Sequence, residues 1–304
     1  MGRPRIGITV GDPAGIGPEI ALKAASDDRV RAACEVVCYG PRTGVELARF
    51  RRGQVSPEAG RAAYEAVVAA VEDARAGRID GVATAPINKE AWARAGLPWK
   101  GHTDLLASLT GASHVAMMFE SPQLRVVLVT VHVPLADVPR LITQGAVEAT
   151  LDLAAGALPA FGCERPRLAL AGLNPHAGEH GLMGREDEDV LAPAVDACRL
   201  RGVDVTGPLA ADTVFVRAAR GEFDAVVACY HDQGLIPVKL LAFGTAVNVT
   251  LGLPIIRTSV DHGTAFDIAG CGTADPSSLV EAVLLASRLA NKGRGPRPLP
   301  LAPD

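Results

Sequence analysis

With 304 residues and a formal charge of −4, the chain is long enough for two domains of ordinary size and lacks the basic excess that a nucleic-acid partner calls for. Its hydrophobic fraction of 48% is that of a folded globular protein, and no apolar run reaches the ~18 residues needed to span a bilayer. The six cysteines (34, 38, 163, 198, 229 and 271) form no Cys-x-x-Cys pair, and Met1 to Arg5 is too short and charged to lead a signal peptide, so a reducing cytoplasm is the expected compartment.

In chain order, Arg5 to Val10 predicts a β-strand running into Gly11-Asp12-Pro13-Ala14-Gly15-Ile16-Gly17-Pro18-Glu19. Pro18 suits the first turn of a helix, and Glu19 suits its positive end. A glycine-rich strand-to-helix turn can present backbone amides to an anion, although the spacing is not Gly-x-Gly-x-x-Gly and a tight turn without a ligand explains it equally well. Glu35 to Tyr39 predicts a second strand, Pro57 to Arg78 an Ala-rich amphipathic helix, and Asp80 to Ala85 a third strand leading to Asn88 and Lys89. Gly101-His102-Thr103-Asp104 opens a helix whose N-terminus can hold a phosphate.

Val115 to Glu120 and Leu124 to Val131 read as a strand pair around Ser121-Pro122-Gln123. Gly145 to Ala160 predicts a helix, Arg167 to Ala171 a strand, and Glu186 to Leu200 a helix. Gly207 to Thr213 reads as a turn and helix start, and Asp224 to Cys229 as a strand. From Tyr230 to Gly270, apolar runs suited to buried strands alternate with His, Asp, Lys, Asn and Arg, groups that are costly to bury unless something polar meets them. Val280 to Ala290 predicts a helix, and Lys292 to Asp304 a Pro- and Gly-rich loose tail. Strands alternating with helices make the class α/β.

Two constellations carry chemistry. His132, His176 and His231 each lie just beyond a buried-looking strand, and imidazoles arriving from separate strand ends can converge on one metal ion. A lone histidine is more often a hydrogen-bonded structural residue, and His-Glu-x-x-His is absent, so the shared context is what distinguishes the set. Lys239, Asn248 and Arg257 follow within the 230–270 stretch, and these residue types are natural partners of carboxylate or phosphate. Lys239 and Arg257 as mere surface ends of elements is the plainer alternative, weaker for Arg257 because Pro254-Ile255-Ile256 before it is apolar.

Taken together, Gly-Asp-Pro-Ala-Gly-Ile-Gly-Pro-Glu, Gly-His-Thr-Asp, Leu-Asn-Pro-His-Ala-Gly-Glu, Gly-Pro-Leu-x-Ala-Asp-Thr, Tyr-His-Asp-Gln-Gly and Ser-Val-Asp-His-Gly-Thr-Ala resemble the 4-hydroxythreonine-4-phosphate dehydrogenase family, in its order and from Ile8 to about Asp275. The resemblance implies two α/β domains flanking a cleft, as in isocitrate and isopropylmalate dehydrogenases, here drawn as 1–120 plus 258–304 and 121–257. It implies an active site at a homodimer interface, with a divalent metal (Zn, Mg, Mn or Co) on His132, His176 and His231 drawn from both subunits. Substrate contacts match His102, Thr103, Lys239, Asn248 and Arg257. Asp212, Lys239 and metal-bound hydroxide are the candidates for the general base. NAD or NADP is implied by the family alone, with Gly11, Gly15 and Gly244 as candidate lining.

The implied reaction is oxidation and decarboxylation of 4-phosphohydroxy-L-threonine to 3-amino-2-oxopropyl phosphate, a step toward pyridoxal phosphate. Leu235 to Leu241 resembles instead the sister branch that oxidises 4-phospho-D-threonate or 4-phospho-D-erythronate, and the segment from Tyr39 to Ser56 is shorter than the family's. Other classes compatible with parts of the pattern are a metal-free phosphate acyltransferase, a non-catalytic module binding phosphosugar acids, and a zinc hydrolase.

Overall fold

The computed structural model describes residues 2–293. They fall into two compact units, 2–113 with 253–293, and 114–252. The first unit opens with β1 (Arg5–Thr9), α1 (Gly17–Ser26), α2 (Asp28–Ala33), β2 (Glu35–Tyr39), α3 (Gly44–Leu47), α4 (Pro57–Arg75), β3 (Gly81–Thr84), α5 (Lys89–Arg94) and α6 (His102–Thr110). Pro18 does stand in the first turn of α1, and Glu19 accepts from Lys23 Nζ at 2.8 Å and from the Ala274 amide at 2.9 Å. Ser56 caps α4 through the Ala59 amide, and the helix buries Ala59, Ala63, Val67, Ala70 and Val71 along one face.

The second unit begins with β4 (Ala116–Glu120) and β5 (Val126–Leu128), continues through α7 (Val138–Leu141), α8 (Gln144–Ala157), β6 (Leu168–Ala171), α9 (Ala192–Leu200), β7 (Val205–Leu209), α10 (Ala211–Ala219), β8 (Ala225–Ala228) and α11 (His231–Ala242), and ends in β9 (Val247–Leu251). Its strand order is β9-β4-β5-β8-β6-β7, antiparallel at β9-β4-β5 and parallel from β5 to β7. Val126, Leu128, Val226, Ala228, Ala169 and Ala171 share a core with Val214 and Ala218 of α10 and Leu235, Val238 and Ala242 of α11. These strands are buried on both faces, which is why they read as continuous apolar runs.

Two expectations change here. Residues 231–242 form a helix rather than part of a buried strand, because Leu235, Val238 and Ala242 recur at helical spacing and meet the sheet on one face, Pro237 notwithstanding. Gly234 lets that helix approach, since a Cβ there would stand 2.6 Å from Val126 and 2.7 Å from Leu128 side-chain carbons. Gly207 and Pro208, expected in a turn, lie within β7, tolerated because β7 is the outer strand of its unit and its register on β6 shifts between Ala169 and Ala171. The helix expected from Glu186 opens with a π-helical turn, Asp187–Leu191, before α9.

The chain then returns to the first unit with β10 (Arg257–Ser259) and α12 (Ser277–Asn291). That unit's strands run β2-β1-β3-β10, all parallel, with Thr9 opposite Thr84 and Thr84 opposite Ser259. The expected boundaries near 120 and 257 therefore move to 113 and 252: β4 pairs with β5 and β9, and β10 pairs with β3. The loose tail expected from Lys292 lies, beyond residue 293, outside the described residues.

Candidate active site

In the second unit β5, β8 and β6 are neighbours and parallel, so their C-terminal ends open on one edge of the sheet. His132, His231 and His176 follow those three ends in that spatial order. The ladder continues past the strands: Thr130 donates to the Cys229 carbonyl from its amide at 3.1 Å and from its hydroxyl at 2.7 Å. His132 and His176 both adopt left-handed backbone conformations, φ +48° and +53°, which non-glycine residues take up only when their surroundings impose it. The His132 and His231 ring centres stand 5.4 Å apart. Two imidazoles bound through nitrogen to one ion at about 2.0–2.1 Å place their ring centres roughly 5 Å apart, a spacing close to this one. The rings line a cavity of about 390 Å³ with Thr130, Tyr230 and Asp232. Asp232 lies 2.7 Å from His231 Nδ1, the kind of partner that orients a ligating imidazole. His176 is near Glu179, with Nδ1 3.6 Å from the carboxylate, and does not join the other two rings: among the described residues no three His, Cys, Asp or Glu gather as a metal site.

The first unit holds a second arrangement. Arg257 is 3% exposed, and its Nη2 donates to Thr84 Oγ1 at 2.8 Å, while Thr84 Oγ1 donates to Ser259 Oγ at 2.9 Å. Burial pushes the guanidinium down to about 9. His102 opens α6 with its Nε2 enclosed and without a hydrogen-bond partner. Burial first, then the positive charges of Arg257 and Lys89, hold this imidazole well below its ordinary value, so it is neutral at physiological pH. Trp92 meets its ring edge-on at 5.8 Å. Thr103 is half-buried in the same first turn, where no side chain caps the amides. A buried arginine, an imidazole nitrogen without a partner and an uncapped helix N-terminus are the kinds of donor that an anion of phosphate size calls for. Thr84 and Ser259 carry no sequence signal beyond hydroxyls near the ends of buried strands, and their part emerges only once β10 is set beside β3.

The remaining candidates divide between the units. Lys239 is half-buried in α11 with Nζ 5.4 Å above the Phe243 ring. Asn248 is half-buried in β9, and its enclosed Oδ1 has no partner. Asp212 is exposed in the first turn of α10, a helix that packs on the His176 turn. Gly11 has φ +68°, and a Cβ there would fall 2.2 Å from the Pro86 carbonyl oxygen; one on Gly15 would fall 2.8 Å from that of Thr264. Gly244, at φ +75°, faces open space. Gly15 also borders a hollow of about 590 Å³ with Pro18, Phe50, Arg52 and Gly270.

The family described as Pyridoxal phosphate biosynthetic protein PdxA matches residues 17–286. The chain belongs to the PdxA family. It is 44% identical to a 4-hydroxythreonine-4-phosphate dehydrogenase from Desulforapulum autotrophicum, over 94% of this chain and 95% of that one. It is 45% identical to a D-threonate 4-phosphate dehydrogenase from Cupriavidus necator, over 95% and 98%. Among solved structures, a 4-hydroxythreonine-4-phosphate dehydrogenase from Klebsiella pneumoniae superimposes with a TM-score of 0.85 at 39% identity, covering 95% of this chain and 98% of that one. An isocitrate dehydrogenase from Methylococcus capsulatus, at 16% identity and a TM-score of 0.51, shares the fold alone. The PdxA family thus joins enzymes named for two different phosphorylated substrates, both dehydrogenases.

Proposed function

We propose that this PdxA-family chain is a metal-dependent, NAD(P)-linked oxidoreductase that oxidises and decarboxylates a 4-phosphorylated 3-hydroxy acid, with 4-phosphohydroxy-L-threonine as substrate and 3-amino-2-oxopropyl phosphate as product. The observation that carries it is the buried anion receptor of Arg257, His102 and the α6 N-terminus, in a chain 44% identical to a 4-hydroxythreonine-4-phosphate dehydrogenase. That receptor holds the phosphate, and Thr84 fixes the guanidinium that grips it. Lys239 and Asn248 bind and orient the rest of the substrate; Asp212 or Lys239 takes the hydroxyl proton as hydride passes from the same carbon to NAD(P)+, and the resulting β-keto acid then loses carbon dioxide, the electron pair of the broken carbon–carbon bond forming an enolate that is protonated at carbon. His132, His231 and His176 would hold zinc, magnesium, manganese or cobalt, which as a Lewis acid polarises the hydroxyl being oxidised and the carbonyl it becomes.

The hollow of about 590 Å³ beside Gly15 supports a nicotinamide cofactor in the first unit, with Gly11 shaping the turn. Ile236 and Leu240 stand exposed on α11, the helix that begins with His231, with Phe243 exposed just past its end, and they support a homodimer that completes the metal site. Buried free thiols at Cys34, Cys198 and Cys229 support a reducing cytoplasm, and among the described residues no helix is long and apolar enough to cross a membrane.

A second reading, oxidation of 4-phospho-D-threonate or 4-phospho-D-erythronate, is favoured by the 45% identity to a D-threonate 4-phosphate dehydrogenase. One experiment separates them: NAD and NADP reduction with the three phosphorylated acids side by side, with divalent metal and with chelator. Turnover of 4-phosphohydroxy-L-threonine that chelator abolishes is expected. Preference for a sugar acid selects the second reading, and indifference to chelator removes the metal.

A further inference from the structure

Resting on the cofactor reading above, we infer that Glu19 and Lys23 are positioning residues for the nicotinamide cofactor, because together they hold the 270–274 segment in place beside the hollow at Gly15. Glu19 stands in the first turn of α1 and Lys23 one turn further on, joined at 2.8 Å. Glu19 Oε1 also accepts from the Ala274 amide at 2.9 Å, and Oε2 from the Gly272 amide at 3.2 Å. Lys23 Nζ donates to the Gly272 carbonyl at 2.8 Å and to the Ala274 carbonyl at 2.7 Å. Both polar backbone groups of Gly272 and of Ala274 are thus met by one pair of side chains, as a neighbouring strand would meet alternate residues.

The segment depends on that clasp. Residues 270–273 are all exposed, so packing does not fix them, and Gly270 and Gly272 turn left-handed at φ +74° and +77°. The turn before α1 holds the start of the same loop, where the Ile16 amide donates to the Thr264 carbonyl at 3.0 Å; the clasp holds its end. Between them Arg52 lies over Gly270 and donates to its carbonyl at 3.3 Å. The hollow of about 590 Å³ is lined by α1 and its entering turn, through Gly15, Pro18, Glu19 and Leu22, and by the loop, through Gly270 and Gly272. The Glu19–Lys23 pair ties those two parts of the lining directly to each other.

Geometry, not charge, is what the pair supplies. A lone carboxylate would repel the phosphates of a dinucleotide. Burial raises the Glu19 carboxyl, but Lys23 and the Ala274 and Gly272 amides more than offset it and hold it below the ordinary carboxylate value, so it stays ionised with Lys23 balancing it. A loop that is already ordered spares the cofactor the entropy of ordering it.

The test compares Glu19→Gln, Lys23→Met and Leu22→Trp in the full-length protein. NAD and NADP dissociation constants are read by titration calorimetry, and kcat and the two KM values are measured separately. Glutamine keeps one acceptor and sets an amide NH2 against an N–H or the ammonium; methionine keeps the length of lysine and donates to neither carbonyl. The two substitutions change the net charge in opposite directions. A clasp makes both weaken cofactor binding roughly 10-fold, with kcat and KM for the phosphorylated acid within about twofold of wild type. Amide exchange in the 270–274 segment should quicken in both. A role through charge alone would instead tighten binding in Glu19→Gln and weaken it in Lys23→Met. Leu22→Trp fills the hollow, leaves Glu19 and Lys23 in place, and should weaken cofactor binding at least as much. Binding like wild type in the folded clasp variants when Leu22→Trp weakens it overturns the inference, and so do shifts of opposite sign. Unchanged binding in Leu22→Trp removes the hollow as the cofactor site, and the inference with it. If one clasp variant does not fold, the other decides alone at about 1 M salt, where charge acts over only about 3 Å and a loss that persists is one of geometry.

Discussion

Asp12 offers a quantitative check on how the first unit is built. Its carboxyl is fully buried in the turn between β1 and α1. Oδ1 accepts from the Ala14 amide at 2.8 Å, while Oδ2 has no partner. Burial raises its pKa to about 6 from 3.8, the Ala14 hydrogen bond offsetting only part of the desolvation. Between those two values the folded protein binds more protons than the unfolded chain, so this group's contribution falls as pH rises through that window and is lowest above 6. A difference of about 2 units at about 1.36 kcal/mol each destabilises the fold by about 3 kcal/mol at neutral pH. Asp12→Asn keeps the acceptor for Ala14 and removes the charge, leaving a neutral amide with one unpartnered end. A gain of about 1–3 kcal/mol at pH 7.5 is expected, shrinking toward zero as pH falls to about 4. Urea unfolding of both proteins across pH 4–8 measures it. A gap that is independent of pH, or a variant that loses stability at pH 7.5, would refute the reasoning. Asp12→Ala, which also strips the Ala14 amide of its acceptor, should show a smaller gain or a loss.

Other outcomes follow from single features. Gly11→Ala should destabilise by more than about 3 kcal/mol or prevent folding, because the added carbon meets the Pro86 carbonyl oxygen, whereas Gly244→Ala, equally left-handed but open, should lose only about 1 kcal/mol; similar melting temperatures for the two would contradict this. Arg257→Lys forfeits the bond to Thr84 and the guanidinium fork, and KM for the phosphorylated substrate should rise roughly 10- to 100-fold, from about 1.5–3 kcal/mol for a charged hydrogen bond. Steady-state kinetics with an unchanged KM would place the phosphate elsewhere. His102, held well below its ordinary pKa, destabilises the fold as pH falls below about 6.5, where the unfolded chain takes up a proton that the folded one refuses. His102→Gln should flatten the dependence of unfolding free energy on pH between about 6.5 and 5, and parallel curves would count against a buried neutral imidazole.

The parts of this molecule that show in its sequence are those set by local chemistry. Strands β5, β6 and β8 announce themselves because burial on both faces forbids polar residues, and the histidines beyond them stand out against that background. Helix α11 does not, because a helix lying against a sheet and exposing Ile236 and Leu240 is nearly as apolar as a strand, and Pro237 argues the wrong way. Strand β7 hides behind Gly207 and Pro208, which an outer strand tolerates and a central one would not. Strand order is invisible because pairing is a long-range choice: β10 lies beside β3 although more than 170 residues separate Thr84 from Ser259. That one choice brings Arg257 to Thr84 and leaves His102 near a positive charge, so this cluster of donors is a property of topology.

Backbone strain is the least legible feature and the most telling one at the histidine edge. From His176 to His180 all five residues have positive φ, and only Gly178 is built for it. Each of the others stores roughly 1 kcal/mol or more, so the turn persists only because its surroundings over-determine it, and Asp187 fixes the Leu173 and Asn174 amides that lead into it. Ala177 separates strain from chemistry, since its methyl group is no candidate for metal or substrate. In an ordinary helix Ala→Gly loses about 1 kcal/mol; at φ +55° the methyl itself is the liability, and removing it should leave stability unchanged or raise it by up to about 1 kcal/mol. Differential scanning calorimetry of Ala177→Gly reads this directly. A loss of 1 kcal/mol or more would mean that the left-handed turn is not the conformation held in solution, and that His176 is presented by some other path of the chain.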